Sequence, residues 1–89
     1  MDYDASEDPV TWELVITSQE RGTKKYVNAV LGGFVDRESA VRIAEAFESQ
    51  ATRGGNLPVT AESPDGTRVM ILANDFRSTR IQKHFLGFA

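Results

Sequence analysis

The sequence predicts an α+β fold: a small ββαββ domain in which a four-stranded antiparallel sheet, built from two hairpins, packs on one main helix. Three observations carry this. Residues 10–19, VTWELVITSQ, alternate apolar and polar side chains with the period of a half-buried strand. Residues 37–53 place Ala40, Ile43, Ala44, Phe47 and Ala51 at helical spacing on one stripe. Residues 57–73 contain two short apolar runs around SPDGT, the composition of a tight turn.

The first strand points Val10, Trp12, Leu14 and Ile16 to one side. After the turn residues ERGT, the run KKYVNAVLGGFV resumes an extended pattern, with Val27, Ala29 and Leu31 on one face, so the two strands are expected to pair as a hairpin. Gly32 and Gly33 invite comparison with phosphate-binding loops. A dinucleotide loop needs G-x-G-x-x-G and a P-loop needs a lysine after its second glycine, and neither pattern is present. The adjacent glycines instead read as a bulge or a point of close packing late in the second strand.

Asp36 is placed to cap the helix, because its carboxylate can accept from the unpaired amides of the first turn, and Glu38 suits the positive end of the helix dipole. Arg42 lies four residues after Glu38 and three before Glu45, the spacing of a solvated mixed-charge face. Gly54 and Gly55 supply the stop. LPVTAES reads as a third strand and RVMILA as a fourth, apolar on both faces and therefore expected inside the sheet or covered on both sides. The ending NDFRSTRIQKHFLGFA fits a short C-terminal helix capped by Asn74 or Asp75, with Ile81, Phe85 and Phe88 at i, i+4 and i+7.

The stretch YVNAVLGGFVDRESAVRIAEAF, residues 26–47, resembles the SPOR-type peptidoglycan-binding domain, in which a strand ending in Gly-x-Phe precedes a helix that begins with a small-residue run similar to ESA. The resemblance covers the middle of the chain and implies the strand-to-helix step. This chain adds an earlier strand and lacks a clear second long helix, and no membrane anchor is expected, so no peptidoglycan-binding activity is carried over.

Composition bounds the chemistry. Eighty-nine residues make one domain, read as an acidic arm over residues 1–9 followed by a single folded unit over 10–89. There is no cysteine, which excludes disulfides and thiolate chemistry, and His84 is the single histidine, which excludes a histidine-cluster metal site. No metal or other cofactor is expected. No residues fall into a recognisable nucleophile, base and orienting-acid arrangement, so the expectation is a protein without catalytic activity. No signal-peptide layout and no membrane-length apolar run occurs, and a cytoplasmic location is the expectation.

The net charge of −3 is unevenly spread: residues 1–8 hold four acidic groups and no base, whereas residues 66–89 hold Arg68, Arg77, Arg80 and Lys83 against Asp75. Without the arm the body is about neutral, which argues against nonspecific duplex binding. On a C-terminal helix Arg77, Arg80 and His84 would form one basic stripe with Lys83 beside it, while Phe76, Ile81, Phe85 and Phe88 would either cover the end of the sheet, leaving the basic groups in water, or add apolar contacts to a partner. Arg77, Arg80, Lys83, His84, Phe85 and Phe88 are therefore the candidate partner-binding residues. The leading expectation is a protein-binding module, an adaptor or regulator, that uses a sheet edge or this segment on an acidic partner and whose open edges suit a second copy. The second is a nucleic-acid binder using the Arg and Lys groups of residues 68–84.

Overall fold

The computed structural model describes residues 10–85; the acidic arm and Phe88 lie outside that range. Two hairpins flank a helix: β1 (Val10–Gln19), β2 (Tyr26–Phe34), α1 (Arg37–Gly54), β3 (Pro58–Glu62) and β4 (Arg68–Leu72). A 3-10 turn at Ala73–Asp75 then leads into a fifth strand, β5 (Phe76–Phe85). The domain is α+β, but its strands form two sheets: a three-stranded antiparallel sheet ordered β2-β1-β5 and a separate β3-β4 hairpin.

The four-stranded sheet and the C-terminal helix are thus both corrected by one fact: the second neighbour of β1 is β5. A lone three-turn helix is marginal in water, whereas the extended chain gains a ladder from Val10↔Phe85 to Ser18↔Phe76. Thr79 and Ile81, β-branched, suit that ladder. With β1 taken on both sides, the β3-β4 hairpin pairs only with itself. It turns Val59 and Ala61 into the core while Met70, on its other face, stays 67% exposed. The expectation that the fourth strand is covered on both faces therefore fails.

Two bulges set which side chains reach the core. On β1, Trp12 and Leu14 are two residues apart, but their partners Phe34 and Leu31 are three apart. The extra residue turns both Leu31 and Phe34 toward the helix, where both are buried. Gly33 makes the bulge at φ +85°, a conformation that only glycine adopts cheaply. The glycines also admit the β3-β4 turn: a Cβ on Gly33 would stand 3.1 Å from the Asp65 backbone nitrogen. The close-packing reading of LGGF is correct. A second bulge separates Thr17↔Ser78 from Ser18↔Phe76 and brings Phe76 to the helix side, its ring edge-on to Phe47 at 5.4 Å between centroids.

Asp36 caps α1 as expected, accepting from the Ser39 amide at 2.7 Å, and Gly55 ends it. Ala40, Ala44, Phe47 and Ala51 are buried against Leu14, Ile16, Leu31 and Phe34, with Ile43 half-buried beside them. Three alanines on that stripe let the helix lie close to the sheet, and Phe47 is among the largest fully buried side chains. Trp12 packs at the margin of this core.

Candidate protein-binding surface

The strand conformation of residues 76–85 redistributes the expected basic stripe. Side chains alternate across a strand, so Arg80 and His84, paired with Val15 and Thr11, lie on the sheet face away from α1. Lys83 and Phe85, paired with Trp12 and Val10, lie on the helix side. No single stripe forms.

Arg77 sits in the second bulge and is occupied. Its Nε and Nη2 donate to Gln19 Oε1 at 3.1 and 2.8 Å, and its Nη1 donates to the carbonyls of Asn74 and Phe76 at 2.9 Å each. It clamps the start of β5 to the end of β1. Arg21 pairs with Asp75 nearby at 3.3 Å. Arg77 is thus held by local groups, while Arg80, Lys83 and His84 are the exposed basic side chains further along β5. Lys83 places its ammonium 5.4 Å from the Trp12 ring centroid, a cation–π position that keeps the charge exposed while its stem covers the ring. His84 Nδ1 lies 3.8 Å from Glu13 Oε1, and Gln82 Nε2 donates to the same oxygen at 3.0 Å. Phe85, at the end of the strand, is 62% exposed.

The face away from α1 is mixed. At its centre Val15 is only 3% exposed, flanked by Val30 on β2 and Arg80 on β5. Asn28 and Tyr26 continue the β2 side, and Thr17 Oγ1 donates to Asn28 Oδ1 at 2.7 Å.

A groove of about 470 Å³ opens on the other side, between α1 and the β3-β4 turn, lined by Phe34, Arg42, Ile43, Glu62, Ser63 and Pro64. Sequence reasoning did not find it. The only signal was Ile43 at the edge of the helix stripe and Pro64 in the turn, and neither indicates that the two elements meet. Asp36 and Asp65, one on each element, both titrate below the ordinary carboxylate range. Asp36 does so because the Ser39 amide donates to it, and Asp65 because the Ser63 hydroxyl and then the Thr67 amide donate to it. Both carboxylates hold local backbone.

Among the described residues no group of three or more His, Asp or Glu side chains is placed to hold a metal ion, and no helix is long and apolar enough to cross a membrane. The chain matches no protein-family model, no curated protein and no solved structure, so the likeness of residues 26–47 to the SPOR-type domain rests on their layout alone.

Proposed function

We propose that this chain is a non-catalytic protein-binding module that receives an extended acidic segment along the open edge of β5. One observation carries the reading: β5 is a ten-residue strand with β1 on one side and no strand on the other among the described residues, with Arg80, Lys83 and His84 exposed along it. The outward N–H and C=O groups of such a strand supply affinity to an added strand, and the charges select its composition. Arg80 and His84 would meet acids on one face of the ligand strand, and Lys83 on the other.

Titrating the protein with an extended acidic peptide and with a neutral one of equal length tests this. Binding of the acidic peptide alone, weakened a few-fold by Arg80→Ala or Lys83→Ala, is expected, since an exposed charge pair is worth up to about 1 kcal/mol. Arg77→Ala should lower thermal stability and leave peptide affinity at its wild-type level where the protein is folded. Equal affinity for both peptides, or none for either, refutes the proposal.

A second reading has its own support. Tyr26, 64% exposed, shares the open sheet face with Asn28, Arg80 and His84, a ring for stacking beside bases for phosphates. Glu13 stands amid these groups and opposes an anion. Oligonucleotide affinity that falls steeply with salt and is lost in both Tyr26→Ala and Arg80→Ala would favour this reading over the first.

A further inference from the structure

The two outer strands of the three-stranded sheet have opposite character. β5 carries Arg77, Arg80, Lys83 and His84, and charge along an edge discourages pairing with a like strand. β2 begins with Tyr26-Val27-Asn28-Ala29-Val30, five residues without a charge or a proline, of which Tyr26, Val27 and Val30 are 64, 49 and 45% exposed. Natural edges are blunted by lysine, proline, bulges or cover; residues 26–30 contain no lysine or proline, precede the bulge at Gly32 and Gly33, and among the described residues have no strand on their outer side. From the contrast we infer that residues 26–30 of β2 pair with the same residues of a second copy, antiparallel and with the two-fold axis at Asn28.

The register follows from the backbone. In an antiparallel ladder, residues alternate between pairs that exchange both hydrogen bonds and pairs whose N–H and C=O groups point away. The Glu20 amide donates to the Lys25 carbonyl, immediately beyond the Gln19↔Tyr26 pair. Tyr26, Asn28 and Val30 are then the β2 residues whose backbone groups point away from β1, and the close side-chain contact of Thr17 with Asn28 agrees with that alternation. Centring the two-fold on Asn28 sets Asn28 opposite its own copy and Tyr26 opposite Val30, so all three outward residues meet outward residues. The side chains match as well: Tyr26 against Val30 is an aromatic and β-branched cross-strand pair, repeated by symmetry. Asn28 Oδ1 accepts from Thr17 Oγ1, and the Asn28 amide N–H groups are left for the opposing Asn28. In the same register Lys24 comes opposite Gly32, beside which the Asp65 carboxylate stands 3.1 Å from where a Cβ would be. Opposite charges thus flank the apolar pairs at each end. The product is a six-stranded sheet, β5-β1-β2-β2-β1-β5, with both basic edges outermost.

The inference does not depend on the peptide-binding reading, since it concerns the other edge. Sedimentation equilibrium of the whole chain over a concentration series up to the millimolar range tests it. The mass should rise from 9.8 kDa toward twice that value. Asn28→Lys and Asn28→Glu, which place like charges at the two-fold, should each remain monomeric. Mixed in equal amounts they should associate again, because the register sets lysine opposite glutamate. Asn28→Pro should also remain monomeric with a native circular-dichroism spectrum, since the amide it removes points away from β1. Arg80→Glu, on the opposite edge, should dimerise like the wild type. A wild-type chain that is monomeric at every concentration overturns the proposal. So does a dimer that survives all three Asn28 substitutions, one that is lost in Arg80→Glu, or a lysine and glutamate mixture that fails to associate.

Discussion

Replacing Gly33 by alanine separates two demands that the fold makes at one residue. The first is conformational: at φ +85° a Cβ crowds the following carbonyl, which costs about 1–2 kcal/mol. The second is the neighbour. The new Cβ would stand 3.1 Å from both the Cβ and the backbone nitrogen of Asp65, so the β3-β4 turn must retreat by a few tenths of an ångström. Overpacking of that kind costs about 1–3 kcal/mol. The two together give about 2–5 kcal/mol, a large part of the stability of a domain of this size. Gly66→Ala is the control, because Gly66 has φ +91° and nothing within 4 Å of its hypothetical Cβ. It should lose only the first share, about 1–2 kcal/mol. Urea unfolding of the three proteins, compared at constant m-value, reads the difference directly. If Gly33→Ala is no less stable than Gly66→Ala, the turn does not bear on the bulge and the account of LGGF given above is wrong.

Phe47→Ala should destabilise by about 3–5 kcal/mol, because it empties the space between α1 and Phe76 at the centre of the core; a loss under 1 kcal/mol in urea unfolding would contradict that packing. Gly54→Ala should lower the melting temperature although alanine is the better helix former, since its Cβ would lie 2.8 Å from that of Ala73; a rise would show that the 3-10 turn yields. Stability should decline as pH falls below about 4. The folded pKa values of Asp36 and Asp65 are depressed, so their contribution is present above the unfolded values and is lost as pH drops through the folded ones. Melting temperatures across that range should fall less steeply in Asp65→Asn than in the wild type, and an unchanged slope would remove Asp65 from the acid transition.

Local patterns were legible in the sequence where one element alone decides them. The alternation from Val10 to Ile16, the stripe from Ala40 to Ala51, the Asp36 cap and the Gly55 stop each depend on residues within a few positions, and each is present. The long-range choices were not. Residues 76–85 satisfy both a helical spacing, through Ile81 and Phe85, and an extended one, through Phe76, Thr79 and Ile81 once the bulge at Arg77 is counted. A bulge changes the apparent period by one residue, so the helix-facing set Phe76, Thr79, Ile81 does not look like strand alternation on paper. What decides is the vacant side of β1, a property of the assembled sheet. The single basic stripe went with the helix: on a strand Arg80 and His84 part from Lys83, and the sequence does not show that Gln19 and two carbonyls will surround Arg77.

The order of the strands gives the edges their meaning. Had the two hairpins shared one sheet, β2 or β1 would have lain inside it and one of the present edges would not exist. Instead β1 occupies the centre, a neutral edge and a basic edge lie on opposite sides of it, and pairing at the first leaves the second open. A dimer through Asn28 would carry two β5 edges facing away from each other, so two acidic segments joined by a linker long enough to span the six strands would bind as one ligand. Such linkage raises apparent affinity through effective concentration without any new contact, by up to about a hundred-fold or more where the span is met. The linked peptide should therefore bind the wild type far more tightly than the single peptide does, while Asn28→Pro should bind both with nearly the same affinity. If the linked peptide keeps its advantage on that monomeric variant, both acidic segments are engaging one copy, and the division of labour between the two edges fails.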